Sequence, residues 1–135
     1  MDQIERNDMQ TRSETRETLI KRMAVFTVRL AKMLENLPSC ISKKNLQDQL
    51  GRSGSSIGAN YAESGPAESA KDFIHKLSIA LKEAEETSFW LQCIIAEFPE
   101  NEEAIALWKE CHEFVKILQA SVSTAKRNVS PGSKS

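Results

Sequence analysis

A chain of 135 residues, of which 40% are hydrophobic, has the size and composition of one globular domain. Its 18 basic and 19 acidic side chains nearly cancel, and this net charge of −1 does not indicate a general nucleic-acid or membrane-surface protein. No apolar run approaches the ~20 residues of a bilayer span, and the opening residues lack an apolar signal core. The three widely spaced cysteines are typical of reduced thiols, so we expect a cytoplasmic protein with no membrane partner.

The first predicted helix follows a polar segment without periodicity. Residues 1–12 are therefore predicted to be disordered. From residue 13 to Leu37, apolar residues recur at alternating spacings of four and three, which indicates a helix with one apolar seam. Pro38 ends this helix because a proline pushes the preceding residue out of the α region. The seam consists of Leu19, Met23, Phe26, Leu30, Met33 and Leu37.

The second predicted helix is rich in small residues. Ser39 or Ser42 can cap it, and it continues to Ser64. A glycine inside a helix costs about 1 kcal/mol relative to alanine, so its interior glycines need compensation. We expect this compensation from close packing of a neighbouring helix backbone. The predicted close-packing side consists of Gly51, Ser55, Gly58 and Ala62.

Two longer periodic segments follow. The third predicted helix runs from about Ala67 to Phe98 and has two adjacent apolar stripes, which indicate contact with more than one neighbour. Asn101 can cap the fourth helix, which runs to residue 128 and precedes a flexible tail over residues 129–135. No segment alternates with period two. The sequence therefore predicts an all-α protein, an antiparallel up-down-up-down four-helix bundle over residues 13–128.

A polar stripe lies beside the apolar face of the second helix. Spacings of four, four and three place Arg52, Ser56, Asn60 and Glu63 on one side. Such a stripe has two interpretations. In the structural one it is a hydrogen-bonded network that fixes the helix register or a subunit contact, and in the functional one it is a recognition site. We favour the structural interpretation, because networks of this kind also gather charged groups.

A basic set is distributed over the first two helices. It is either a solvated helix surface, which we favour, or a set of nucleic-acid contacts. Residues 66–100 carry a net charge of −4, so the third helix is the acidic element. The basic residues are Arg22, Arg29, Lys32, Lys43, Lys44 and Arg52.

Catalytic and metal-binding patterns are missing from the sequence. His75 and His112 do not occur in the Glu-x-x-His pairs of di-iron bundles, and there is no Cys-x-x-Cys. The spacing G-x-x-G-x-x-x-G in the second helix matches neither the glycine-rich loop of dinucleotide-binding proteins nor the P-loop. We therefore expect no enzyme activity, no metal and no cofactor.

Two stretches resemble a known bacterial family. They are L-G-R-S-G-S-S-I-G-A-N-Y-A-E-S and A-E-S-A-K-D-F-I-H-K-L-S-I-A-L-K-E-A-E-E-T, and the match extends over about residues 14–127. The chain is similar to the four-helix-bundle proteins of 23S rRNA intervening sequences and to the accessory variability determinant of diversity-generating retroelements. The resemblance implies a bundle assembled into a homopentameric ring without catalytic residues. For the retroelement branch it also implies binding of RNA or DNA and of a reverse transcriptase.

Overall fold

The computed structural model describes residues 2–40 and 42–129 of the chain, which form α1 (Gln3–Glu35), α2 (Lys43–Ser64), α3 (Ala70–Glu97) and α4 (Glu102–Asn128). No strand occurs within these ranges, so the described part is all-helical. Of the predicted tail over 129–135, residues 130–135 lie outside the described residues. None of the helices described is both long and apolar enough to cross a membrane.

The helix ends follow local capping chemistry. Ser69 accepts a hydrogen bond from the Asp72 amide at 3.0 Å, and Asn101 does the same for the Ala104 amide, also at 3.0 Å. The cap predicted at Asn101 is therefore confirmed. Ser42 takes the cap position of α2 but makes no side-chain cap bond. Sequence and structure agree on these three helices to within a few residues, as expected where cap residues and prolines mark the ends.

The beginning of α1 differs from the sequence prediction. The helix starts at Gln3, so it includes most of the segment over residues 1–12 that the sequence predicts to be disordered. Asp2 provides the reason, because its carboxylate accepts a hydrogen bond from the Glu5 amide at 2.8 Å. A Gln3–Asn7 side-chain bond of 2.9 Å supports the first turns. The prediction missed this because it relied on apolar periodicity alone.

The core is formed by the apolar seams of all four helices. Its largest fully buried side chains include Phe26 of α1, Leu50 and Ile57 of α2, Leu91 of α3 and Phe114 of α4. α3 shares long interfaces with α2 and α4, whereas α1 contacts α2 more sparsely and α4 least. Within the described residues, no Cα atom of α1 lies within 8 Å of a Cα atom of α3, and the same holds for α2 and α4. The helices therefore surround the core with α1 and α3 on opposite sides.

In two pairs of neighbouring helices, the earlier residues of one helix contact the later residues of the other. Arg16, early in α1, bonds to the end of α2, whereas Leu34, late in α1, bonds to Gln47 near the start of α2. The same inversion relates α1 to α4, since Arg22 pairs with Glu110 and Arg29 with the earlier Glu103.

Candidate functional site: the surface and interfaces of α1, α2 and α3

The polar stripe of α2 points along α3. Arg52 donates to Glu83 at 3.1 Å and to Glu86 at 2.5 Å, and Glu63 pairs with Lys76 at 3.2 Å. Ser56 and Asn60 lie between these ends and bond within their own helix, to the carbonyls of Arg52 and Ser56. The four predicted residues therefore share a side of α2, and two of them bridge to α3 inside one chain. This geometry favours the interpretation that the stripe fixes helix register.

Electrostatics at Arg52 follow from these bonds. The hydrogen bond to Glu86 raises the pKa of Arg52 and lowers the pKa of Glu86, whose second partner is the Trp90 indole at 3.3 Å. Glu86 is thus a carboxylate with two donors, and both charges of the pair are satisfied locally. These bonds use two of the five guanidinium N–H donors, and about half of the Arg52 side chain (49%) remains exposed.

A buried hydroxyl pair adds to the α2–α3 interface. Ser53 and Thr87 are fully buried, and their hydroxyl oxygens lie 2.9 Å apart. Thr87 Oγ1 also lies 2.7 Å from the Glu83 carbonyl oxygen, which can only accept. The interface therefore contains a satisfied polar contact at its centre. The sequence does not reveal this pair, because Ser53 and Thr87 are uncharged and lie on different helices, so no charge in an apolar seam draws attention to them.

The basic residues of α1 are mostly paired with glutamates of α4. Arg22 Nη2 lies 2.6 Å from Glu110 and its guanidinium carbon lies 5.4 Å from the centre of the Phe114 ring, while Arg29 Nη2 lies 2.5 Å from Glu103. Hydrogen bonding to these glutamates raises the pKa of both arginines. These two predicted nucleic-acid contacts therefore already have acidic partners.

The lysines of the basic set are arranged differently. Lys43 Nζ donates to the Leu37 carbonyl at 2.6 Å, which ties the start of α2 to the end of α1. Lys32 and Lys44 are exposed, and the structure shows no acidic partner for them among the described residues. The six predicted basic residues do not form one continuous surface with free charges.

Close packing against α2 occurs at Gly54 and Gly58. A Cβ atom at Gly54 would overlap Leu30 Cδ2, and one at Gly58 would lie 3.1 Å from Met23 Cβ. Gly51 has nothing within 4 Å of such an atom, and Ser55 and Ala62 are exposed. The predicted set Gly51, Ser55, Gly58 and Ala62 therefore contains one close-packed residue, because α1 crosses α2 on the side that Gly54 and Gly58 share.

Arg16 closes the α1–α2 contact at one end. Its Nη2 donates to the carbonyls of Tyr61 and Ala62 at 2.5 and 3.2 Å, and its guanidinium carbon lies 4.6 Å from the centre of the Tyr61 ring. The same group would contact a Cβ at Gly65, with 2.8 Å from Nη2. No sequence pattern pointed to Arg16, because no spacing rule identifies a charged residue that caps a different helix.

The remaining reactive groups are buried or isolated. Cys111 is fully buried, its thiol lies 3.2 Å from the Ala84 carbonyl, and burial raises the pKa of the thiol to about 12. The neighbouring His112 stacks instead on Trp108, with ring centres 5.7 Å apart. No group of three or more His, Cys, Asp or Glu side chains that could hold a metal ion occurs in the described part.

Comparison with known proteins identifies the family of this chain. Residues 16–120 match the family described as 23S rRNA-intervening sequence protein. The chain belongs to this family. The matched residues of the 23S rRNA-intervening sequence protein family include all the interhelical contacts described above that involve α2. A comparison with curated proteins finds no match.

A solved structure resembles the 23S rRNA-intervening sequence protein fold seen here. It is a protein with unknown function from the S23 ribosomal protein family of Bacteroides thetaiotaomicron. The two chains are 32% identical, the match covers 80% of this chain and 97% of the other, and the TM-score is 0.69. The fold is therefore shared over nearly all of that protein.

Proposed function

We propose that this protein is a non-catalytic, homo-oligomeric interaction protein of the cytoplasm, and that its subunit is an antiparallel up-down-up-down four-helix bundle. The observation that carries the proposal is the exposure of large apolar side chains on helices whose opposite sides already fill the core. Val25 and Val28 of α1 are 57% and 53% exposed, and Phe89 of α3 is 57% exposed. Val25 and Val28 lie one turn apart on the same side of α1, and adjoining exposed apolar side chains favour a protein–protein contact.

The contacts in three pairs of helices support the up-down arrangement. α1 and α2, α1 and α4, and α2 and α3 all pair early residues of one helix with late residues of the other. The connections between successive helices span residues 36–42, 65–69 and 98–101, and short connections favour antiparallel neighbours.

The geometry gives little support for nucleophilic catalysis. Cys111 is the one thiol that the sequence places beside a histidine, yet it is buried among apolar residues with a raised pKa. A buried thiol with a raised pKa is a poor nucleophile at neutral pH, because the thiolate is the reactive form. His112 also faces Trp108 rather than the thiol.

The oligomeric state is the direct test of the proposal. Family resemblance implies a pentamer, so light scattering on the purified chain is expected to give a mass of about five 15.1 kDa subunits. A value near 15.1 kDa at micromolar concentration contradicts the proposal. Repeating the measurement at high salt separates assembly through apolar contacts, which persists, from charge-mediated association, which weakens.

Binding of nucleic acid, alone or together with a reverse transcriptase, is the second candidate. The exposed Lys32 and Lys44 favour it, while the pairing of Arg22, Arg29 and Arg52 with glutamates opposes it. Contacts to phosphates release counterions, so binding must weaken steeply with salt. Filter binding to a structured ribosomal RNA fragment at low and high salt tests this candidate. Lack of binding at low salt removes it.

A further inference from the structure

We draw no further inference here: the strongest candidate, the largely apolar groove between α3 and α4 lined by Gln92, Ile95, Ala96, Ile105 and Trp108, includes a buried Trp108 indole N–H that has no hydrogen-bond partner among the described residues, but nothing in the structure shows what covers this groove.

Discussion

α1 and α3 are attached to the same two neighbours by different means. α3 has long interfaces with α2 and α4 and encloses polar contacts, such as Ser53–Thr87 and Cys111–Ala84, at their centres. α1 has sparser interfaces; it adds Met23, Phe26 and Leu30 to the core, fits closely at Gly54 and Gly58, and forms ion pairs at the surface. We therefore expect the attachment of α1 to be more sensitive than that of α3 to single changes at its interfaces and to what covers its outside.

Adding a methyl group at Gly54 is expected to have the largest effect. In Gly54→Ala the new Cβ overlaps Leu30 Cδ2, and because Leu30 is buried in the core, its displacement should destabilise the fold by about 1–3 kcal/mol. Gly51→Ala is the matched control. A Cβ at Gly51 would meet no atom within 4 Å, so this change should stabilise α2 by roughly 0.5–1 kcal/mol through helix propensity. Denaturant unfolding of both variants measures the difference, and equal signs for the two changes would show that α1 does not pack closely on α2.

Removing the buried hydroxyl of Thr87 tests the α2–α3 side of the comparison. Thr87→Val keeps the shape but leaves Ser53 without its buried partner, which should cost about 1–3 kcal/mol. The double variant Ser53→Ala with Thr87→Val removes both partners and should recover part of this loss. Strictly additive losses in thermal unfolding would show that the two hydroxyls do not interact.

Breaking the α1–α4 ion pair should have a smaller effect. Arg22→Met removes the bond to Glu110 but keeps an apolar side chain over Phe114. Because Arg22 is about 40% exposed, solvent screens the pair and the expected loss is below about 1 kcal/mol. Unfolding measured at low and high salt checks this, since the difference from wild type should shrink as salt rises. A loss that is independent of salt would point to packing instead.

Removing the charge of Glu86 from the α2–α3 surface pair should have the smallest effect. The bond from Arg52 lowers the pKa of Glu86 in the folded chain, so the pair stabilises the fold above the ordinary carboxyl pKa. This contribution is lost as pH falls through the lowered folded value. Glu86→Gln should therefore make stability slightly less dependent on pH in the acid range. An unchanged pH profile in this variant would show that Glu86 does not depend on Arg52.

The helices were largely predictable because each one carries its own signals. Apolar residues at spacings of four and three identify the buried sides, and Asn101 and Pro99 mark a boundary by local chemistry. The contacts between helices were less predictable. The close-packing side predicted from the sequence includes Gly51 and leaves out Gly54, whereas the position of α1 makes Gly54 the close-packed residue of the two. The glutamate partners of Arg22 and Arg52 lie 88 and 31 to 34 residues away in the chain, and no spacing rule extends that far.

The dependence of the melting temperature on protein concentration is the sharpest test of self-assembly through the outside of α1. If copies of this chain cover the outside of α1, assembly stabilises the folded subunit by mass action, and the melting temperature of the wild type should rise with concentration. The variant Val25→Glu with Val28→Glu should lose this dependence and melt at the lower temperature at every concentration. A wild-type melting temperature that stays constant over a hundredfold range of concentration would show that assembly does not stabilise the folded subunit.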